Sequence, residues 1–172
     1  MKELIKNIEN WAEERNLIQG SAPQKQFIKL MEEFGELCAG ISKNKNDMII
    51  DSIGDCVVVF VILCKQTECS THILKMAFDQ AHYSVTKDNC DRICIRIAYA
   101  LRGLSEIFMN SKFRDYDKKV FYSSIFEATY LLGLLSKDID VCIEFCVKKA
   151  WNEIKDRKGK MINGVFVKEA DL

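Results

Sequence analysis

Apolar residues recur every three or four positions along most of the chain, a spacing that places them on one face of an α-helix. Glycine is infrequent and the only proline is Pro23, so long helices joined by short loops are favoured over a sandwich of many strands. The pattern predicts helices over residues 2–15, 24–42, 48–65, 71–86, 91–110, 117–136 and 139–156. We therefore expect an all-α fold, a helical bundle that forms one domain over residues 1–172.

Two segments carry β signals. The run Val57–Ile62 has strong β propensity, and a buried strand is a competing interpretation because short apolar runs are ambiguous. We favour a helix because Asp47 can cap it and because the apolar pattern extends back to Met48. Near the C-terminus, Asn163-Gly164 lies between two short apolar runs and favours a type I′ turn, which predicts a small β-hairpin.

The second helix has a two-sided pattern. Its apolar residues span about 120° of the helix surface, since each residue advances the chain by about 100°. They are Phe27, Leu30, Met31, Phe34, Leu37, Cys38 and Ile41. The charged residues are expected on the opposite arc, and they are Lys25, Lys29, Glu32, Glu33 and Glu36.

Helices two and three are expected to be antiparallel neighbours, because only the short loop 43–46 joins them. At a rise of about 1.5 Å per residue, Glu36 then faces Asp51 and Glu33 faces Asp55. Burying like charges without partners is unfavourable. An exit to water at the start of helix three, a basic partner or a divalent cation with oxygen ligands would each offset this cost. An ordinary solvated face of an amphipathic helix remains the alternative for the glutamates.

Composition narrows the function classes. The chain has 25 basic and 25 acidic residues, whereas nucleic-acid grooves and anionic membranes usually require a basic excess. No apolar run approaches the roughly 20 residues of a membrane span. Eight cysteines follow a charged N-terminus without a secretory signal, so we expect free, mostly buried thiols and a cytoplasmic protein.

The acidic residues resemble a known family pattern. The MazG-like, all-α nucleoside triphosphate pyrophosphohydrolases carry EExxE, a spacer and then ExxD, and Glu32–Glu36 together with Asp55 is similar to that arrangement. Ser52 stands where the family has the glutamate of ExxD, and Asp51 is the nearest carboxylate that can substitute. The segment 150–158 is similar to the family's C-terminal Asn/Lys/Arg segment.

The resemblance implies roles for particular residues. The expected ligands of Mg²⁺, with Mn²⁺ as an alternative, are Glu33, Glu36, Asp55 and the substitute Asp51. The carboxylates expected to act in catalysis are Glu32, Glu33 and Glu36, with Glu32 orienting the attacking water. The expected contacts to phosphate or sugar come from Asn152, Lys155 and Arg157. Lys29 can reach phosphate or pair with Glu33 on its own helix.

The resemblance also implies the reaction. The family cleaves nucleoside triphosphates between the α and β phosphates, requires Mg²⁺ and forms homodimers or homotetramers. We expect such a pyrophosphohydrolase here, acting on (d)NTP without nucleic-acid or membrane partners. Two alternatives remain open: a narrower dUTP, dCTP or phosphoribosyl-ATP pyrophosphohydrolase, and a non-catalytic helical dimer that binds nucleotides or a protein.

Overall fold

The computed structural model describes residues 1–110 and 112–169, which form seven helices and one two-stranded antiparallel sheet. The elements are α1 (Lys2–Glu14), α2 (Pro23–Ser42), α3 (Asn46–Gln66), α4 (His72–Tyr83), α5 (Cys90–Phe108), α6 (Asp117–Asp138), α7 (Ile143–Ile154), β1 (Gly159–Ile162) and β2 (Val165–Lys168). The predicted all-α class with a short C-terminal hairpin is confirmed.

Helix α3 lies at the centre of the bundle. Every residue from Cys56 to Cys64 is buried, and α1, α2, α6 and α7 all pack against it. A helix enclosed on all sides is apolar all round, which explains why this run also suited a strand. Lys45, and not Asp47, occupies the position that precedes the helix. No helix among residues 1–110 and 112–169 is both long and apolar enough to span a membrane.

Helix α4 is shorter than predicted because a lysine from another helix caps it. It ends at Tyr83 instead of Thr86. The Lys137 Nζ donates to the carbonyl oxygens of Ala81, His82 and Ser84 at 3.2, 2.9 and 2.7 Å. A cation at a helix C-terminus satisfies carbonyls that have no partner within the helix. The end of α4 is therefore set by a tertiary contact with α6.

The C-terminal segment is anchored to α1. The Trp11 Nε1 donates to the Ile154 carbonyl at 2.8 Å, and the Arg15 guanidinium donates to the carbonyls of Lys155 and Arg157 at 3.0 Å each. These bonds satisfy the last carbonyls of α7 and the residues just beyond it. The hairpin that follows is thereby placed beside the α2–α3 pair.

The cysteines are less uniformly buried than predicted. All eight are free thiols, but Cys142 is exposed and Cys38, Cys90 and Cys94 are half-buried. Cys38 and Cys94 lie at the contact between α2 and α5, with their Sγ atoms 3.4 Å apart. The remaining four thiols are buried, as expected for small apolar side chains in a core.

Candidate functional site

Glu33 lies on the buried face of α2, and not on the opposite arc where the pattern predicted it. That face is formed by Gln26, Leu30, Glu33, Leu37 and Gly40 and packs against α3. Glu33 is only 6% exposed. The predicted apolar stripe is wider than this face, because its other members are half-buried, and two of them, Phe27 and Cys38, contact α5. One carboxylate is therefore held inside the helix pair.

Asp55 meets Glu33 across the helix pair, as the matching of levels predicted. Its carboxyl group is largely buried, and this burial, reinforced by the negative charges of Glu33 and Glu153, raises its pKa from 3.8 to about 7. The positive charges of Lys29 and Arg157 oppose that rise. A carboxyl group with this pKa takes up a proton near neutral pH, unless an additional positive charge nearby lowers the pKa.

Lys29 forms ion pairs with two glutamates of α2. Its Nζ lies 2.9 Å from a Glu32 carboxylate oxygen and 2.6 Å from a Glu33 carboxylate oxygen. The predicted pairing with Glu33 on the same helix is present, and desolvation of the lysine is outweighed by these two partners, so its pKa is raised. Lys29 is thus the cation nearest to Glu33 on α2.

Helix α7 reaches the site because α3 has a glycine where the two helices cross. A Cβ atom built on Gly54 would lie 2.4 Å from the Cys146 carbonyl oxygen and 2.8 Å from the Ala150 Cβ. Only glycine permits so close an approach of two backbones. The approach brings Glu153, one turn beyond this contact, and Arg157, just after the end of α7, to the Asp55 side of α3.

These side chains surround one cavity of about 470 Å³. Its acidic lining consists of Glu32, Glu33, Glu36, Asp55 and Glu153. Its basic lining consists of Lys25, Lys29, Arg157 and Lys168. Most of these residues were predicted from the sequence as site residues, whereas Glu153, Lys25 and Lys168 were not. Lys25 precedes Lys29 by one helical turn, which was an available signal, whereas nothing local marked Glu153 or Lys168.

Asp51 lies apart from this cavity. It lines a neighbouring cavity of about 560 Å³ on the α2–α3 loop side, and Glu36 is the acidic residue common to both cavities. Its carboxylate pairs with Lys149 of α7 at 2.5 Å. The predicted facing of Glu36 and Asp51 is present, but the structure does not gather all four predicted metal ligands around one point, because α7 supplies Asp51 with its own cation.

Asn152 and Lys155 also lie outside the lining of the cavity, and their contact with a nucleotide stays a prediction. Both side chains are exposed, whereas Glu153 and Arg157 line the cavity. Glu153 shares a face of α7 with Cys146 and Ala150, residue 152 is turned away from it by about 100°, and Arg157 lies beyond the end of the helix. The contact made through Gly54 therefore selects which part of the C-terminal segment reaches the site.

The chemistry of the donors suits a hard divalent cation, although the ligands are not assembled. Within residues 1–110 and 112–169, no three Asp, Glu, His or Cys side chains are arranged so that they could hold a metal ion. The lining is nevertheless rich in carboxylate oxygens, which Mg²⁺ and Mn²⁺ prefer. A cation between Glu33 and Asp55 would also relieve the repulsion that raises the pKa of Asp55.

The fold and the site define a class of protein: all-helical, with a cavity on an antiparallel helix pair that is lined by carboxylates and basic side chains. Residues 22–87 match the family model described as the MazG nucleotide pyrophosphohydrolase domain. This segment contains α2, α3 and α4 and therefore Glu33, Glu36 and Asp55. The predicted resemblance is confirmed over this segment. Helix α7 and the hairpin lie outside the matched residues.

One curated relative comes from a bacteriophage. An "uncharacterized 18.2 kDa protein in rep-hol intergenic region" of Haemophilus phage HP1 (strain HP1c1) is 64% identical to this chain over 76 residues. The match covers 44% of this chain and 47% of that protein, so it spans about half the length of each. No solved structure matches the chain.

Proposed function

We propose that this protein is a Mg²⁺-dependent pyrophosphohydrolase that converts a (d)NTP to the (d)NMP and pyrophosphate. The observation that carries the proposal is the facing of Glu33 and Asp55 inside a cavity that also contains four basic side chains. A triphosphate brings about four negative charges, so its site needs metal and cationic groups together. The match of residues 22–87 to the MazG domain supports the same activity.

The residues divide into two sets by their charge. Glu33, Glu36 and Asp55 would hold Mg²⁺, with Glu153 as a fourth carboxylate in place of the glutamate that Ser52 replaces. When bound, Mg²⁺ supplies positive charge that stabilises phosphate oxygens in the transition state. The basic set, Lys25, Lys29, Arg157 and Lys168, would bind the phosphates. To admit the cation, Lys29 must leave Glu33 and can then pair with phosphate.

The hydrolytic step requires little covalent chemistry from the protein. Glu32 lines the cavity with an exposed carboxylate, and we assign it the task of orienting the water and accepting its proton. The water oxygen bonds to the α phosphorus, the bond from that phosphorus to the bridging oxygen breaks, and the electron pair leaves with pyrophosphate. The products are the nucleoside monophosphate, pyrophosphate and a proton.

The test is pyrophosphate release from a panel of NTPs and dNTPs, with and without Mg²⁺. We expect turnover of at least one nucleotide by the wild type and its loss in Glu36→Gln, since Glu36 lines the cavity and is exposed, so that its substitution leaves the core intact. Glu3→Gln, an equivalent change on the exposed face of α1, is the matched control. A panel that includes dUTP, dCTP and phosphoribosyl-ATP separates a broad from a narrow enzyme.

A non-catalytic nucleotide-binding protein is the second candidate, and Ser52 favours it. Ser52 is 1% exposed and occupies the position of a family carboxylate, so the site has one ligand fewer on α3. Tight nucleotide binding without turnover of any compound in the panel would favour this candidate. It would contradict the hydrolase proposal.

A further inference from the structure

The cavity lining has a charged part and an apolar part. The charged part consists of the acidic and basic groups described above, and the apolar part consists of Trp11, Leu17, Val58, Val59, Ile62 and Phe166. The volume of about 470 Å³ is in the usual range of small-molecule sites, about 300–1,000 Å³. A ligand that fills the cavity must therefore offer both charged and apolar groups.

The β-hairpin forms one wall of the cavity and is held in place. The Ser21 hydroxyl donates to the Gly164 carbonyl at 2.7 Å, and the aliphatic part of Lys25 packs against Gly164 at the turn. Gly164 has φ +77°, a conformation that glycine adopts without strain. The hairpin tip is therefore fixed to the loop before α2 and to α2 itself.

Aromatic rings line this wall. The Phe166 ring lies 6.3 Å from the Trp11 ring, centroid to centroid, at 60°. The Trp11 N–H already donates to Ile154, so Trp11 offers the cavity an apolar surface. Phe166 is only half-buried and keeps ring surface available. Such surfaces bind flat heteroaromatic groups by stacking.

One buried polar side chain also faces this cavity. Gln26 is 8% exposed and lines the cavity. Among the residues that the structure describes, its side-chain amide makes no hydrogen bond, which leaves the amide available to a ligand in the cavity. An amide presents a donor and an acceptor side by side, which matches the hydrogen-bonding edge of a nucleobase.

We infer that the hairpin completes a nucleobase subsite, in which the base packs against Phe166 and its edge bonds to the Gln26 amide. This inference rests on the proposed function and names the part of the substrate that contacts the apolar residues. The phosphates then lie beside the carboxylates, Lys29 and Arg157, which line the same cavity. Residues 159–168, outside the MazG match, thereby contribute to the choice of substrate.

The test separates the two ends of the ligand. Calorimetric titration at millimolar Mg²⁺ measures binding of the four deoxynucleoside monophosphates, of 2-deoxyribose 5-phosphate, which lacks the base, and of pyrophosphate. The proteins are the wild type, Phe166→Ala, Phe166→Tyr, Gln26→Leu and the control Ile162→Ala. Ile162 belongs to the same hairpin but is exposed and does not line the cavity. Circular dichroism checks that each variant is folded.

We expect the wild type to bind at least one monophosphate more tightly than the abasic sugar phosphate. Phe166→Ala should weaken the binding of that monophosphate about tenfold, which is the effect of losing one base–aromatic stack. Its affinity for pyrophosphate should stay within about twofold of the wild-type value. Phe166→Tyr and Ile162→Ala should bind as the wild type does. Gln26→Leu should change the ranking of the four bases.

Two results would overturn the inference in distinguishable ways. If the wild type turns over nucleotides but Phe166→Ala binds every monophosphate as tightly as the wild type, the subsite is wrong and the hydrolase proposal stands. If the wild type binds neither monophosphates nor pyrophosphate and releases no pyrophosphate from any nucleotide, the proposed function fails and the subsite fails with it.

Discussion

Replacing Asp55 by asparagine should stabilise the metal-free protein above neutral pH. In the folded protein the pKa of Asp55 is about 7 instead of 3.8, and each pKa unit corresponds to about 1.4 kcal/mol. Ionised Asp55 therefore lowers the free energy of unfolding by about 4 kcal/mol once the pH exceeds both values. Asparagine has nearly the same shape and no charge, so Asp55→Asn removes this penalty.

The sign of the pH dependence follows from proton binding. Between pH 3.8 and about 7 the folded protein retains a proton on Asp55 that the unfolded chain has released. The contribution of Asp55 to stability is therefore fully present below pH 3.8 and is lost as the pH rises to about 7. The difference in the free energy of unfolding between Asp55→Asn and the wild type should be small near pH 4. It should grow as the pH rises and reach a plateau at about pH 8.

Chemical unfolding at a series of pH values, with a chelator present, measures this difference. At the plateau the expected gap of about 4 kcal/mol corresponds to a rise in Tm of about 8–16 °C for a chain of this length. A variant that is less stable than the wild type at every pH, or a gap that does not change with pH, would refute the burial argument. The control Asp47→Asn alters an exposed carboxylate and should show no such window.

Magnesium should narrow the difference in stability between the same two proteins. A cation that binds the folded wild type raises its stability by about 2.7 kcal/mol at one hundred times its dissociation constant. Asp55→Asn lacks one proposed ligand and should respond weakly. Equal stabilisation of both proteins by Mg²⁺ would contradict a role for Asp55 in metal binding while leaving the metal-free prediction intact.

Two further predictions concern the contact between α3 and α7. Gly54→Ala should destabilise the protein by about 1–3 kcal/mol through overpacking, because its Cβ would lie 2.4 Å from the Cys146 carbonyl oxygen. Denaturant unfolding measures the change in the free energy of unfolding. An unchanged value would show that α7 can move away from α3 without cost. Glu153→Gln should lower the pKa of Asp55 from about 7 by removing a neighbouring negative charge; an NMR titration of the Asp55 carboxyl carbon measures it, and an unchanged pKa would place Glu153 too far away to act.

Local pattern was sufficient for most of the fold. Helical spacing of apolar residues predicted the helices, and the Asn163-Gly164 pair predicted the hairpin, whose strands pair Ile162 with Val165. The end of α4 could not be predicted, because Ser84–Asn89 contains neither glycine nor proline. The helix stops at Tyr83 with its last carbonyls bound to Lys137, more than fifty residues away in sequence.

The same division applies to the site. Helical rise and a short loop were enough to place Glu33 opposite Asp55, because both residues belong to one antiparallel pair whose geometry is local. They were not enough to separate Asp51 from the other carboxylates, since its partner Lys149 lies on α7. Nor could they show that Glu153 and Arg157 line the cavity while Asn152 does not.

The amino-acid sequence by itself therefore determined the helices, the hairpin and the facing carboxylates of α2 and α3. The tertiary structure alone decided which distant charges join them and which apolar wall closes the cavity. The physical reason is that helix periodicity acts over a few residues, whereas the approach of α7 at Gly54 and the docking of the hairpin on Trp11 depend on packing between segments more than ninety residues apart.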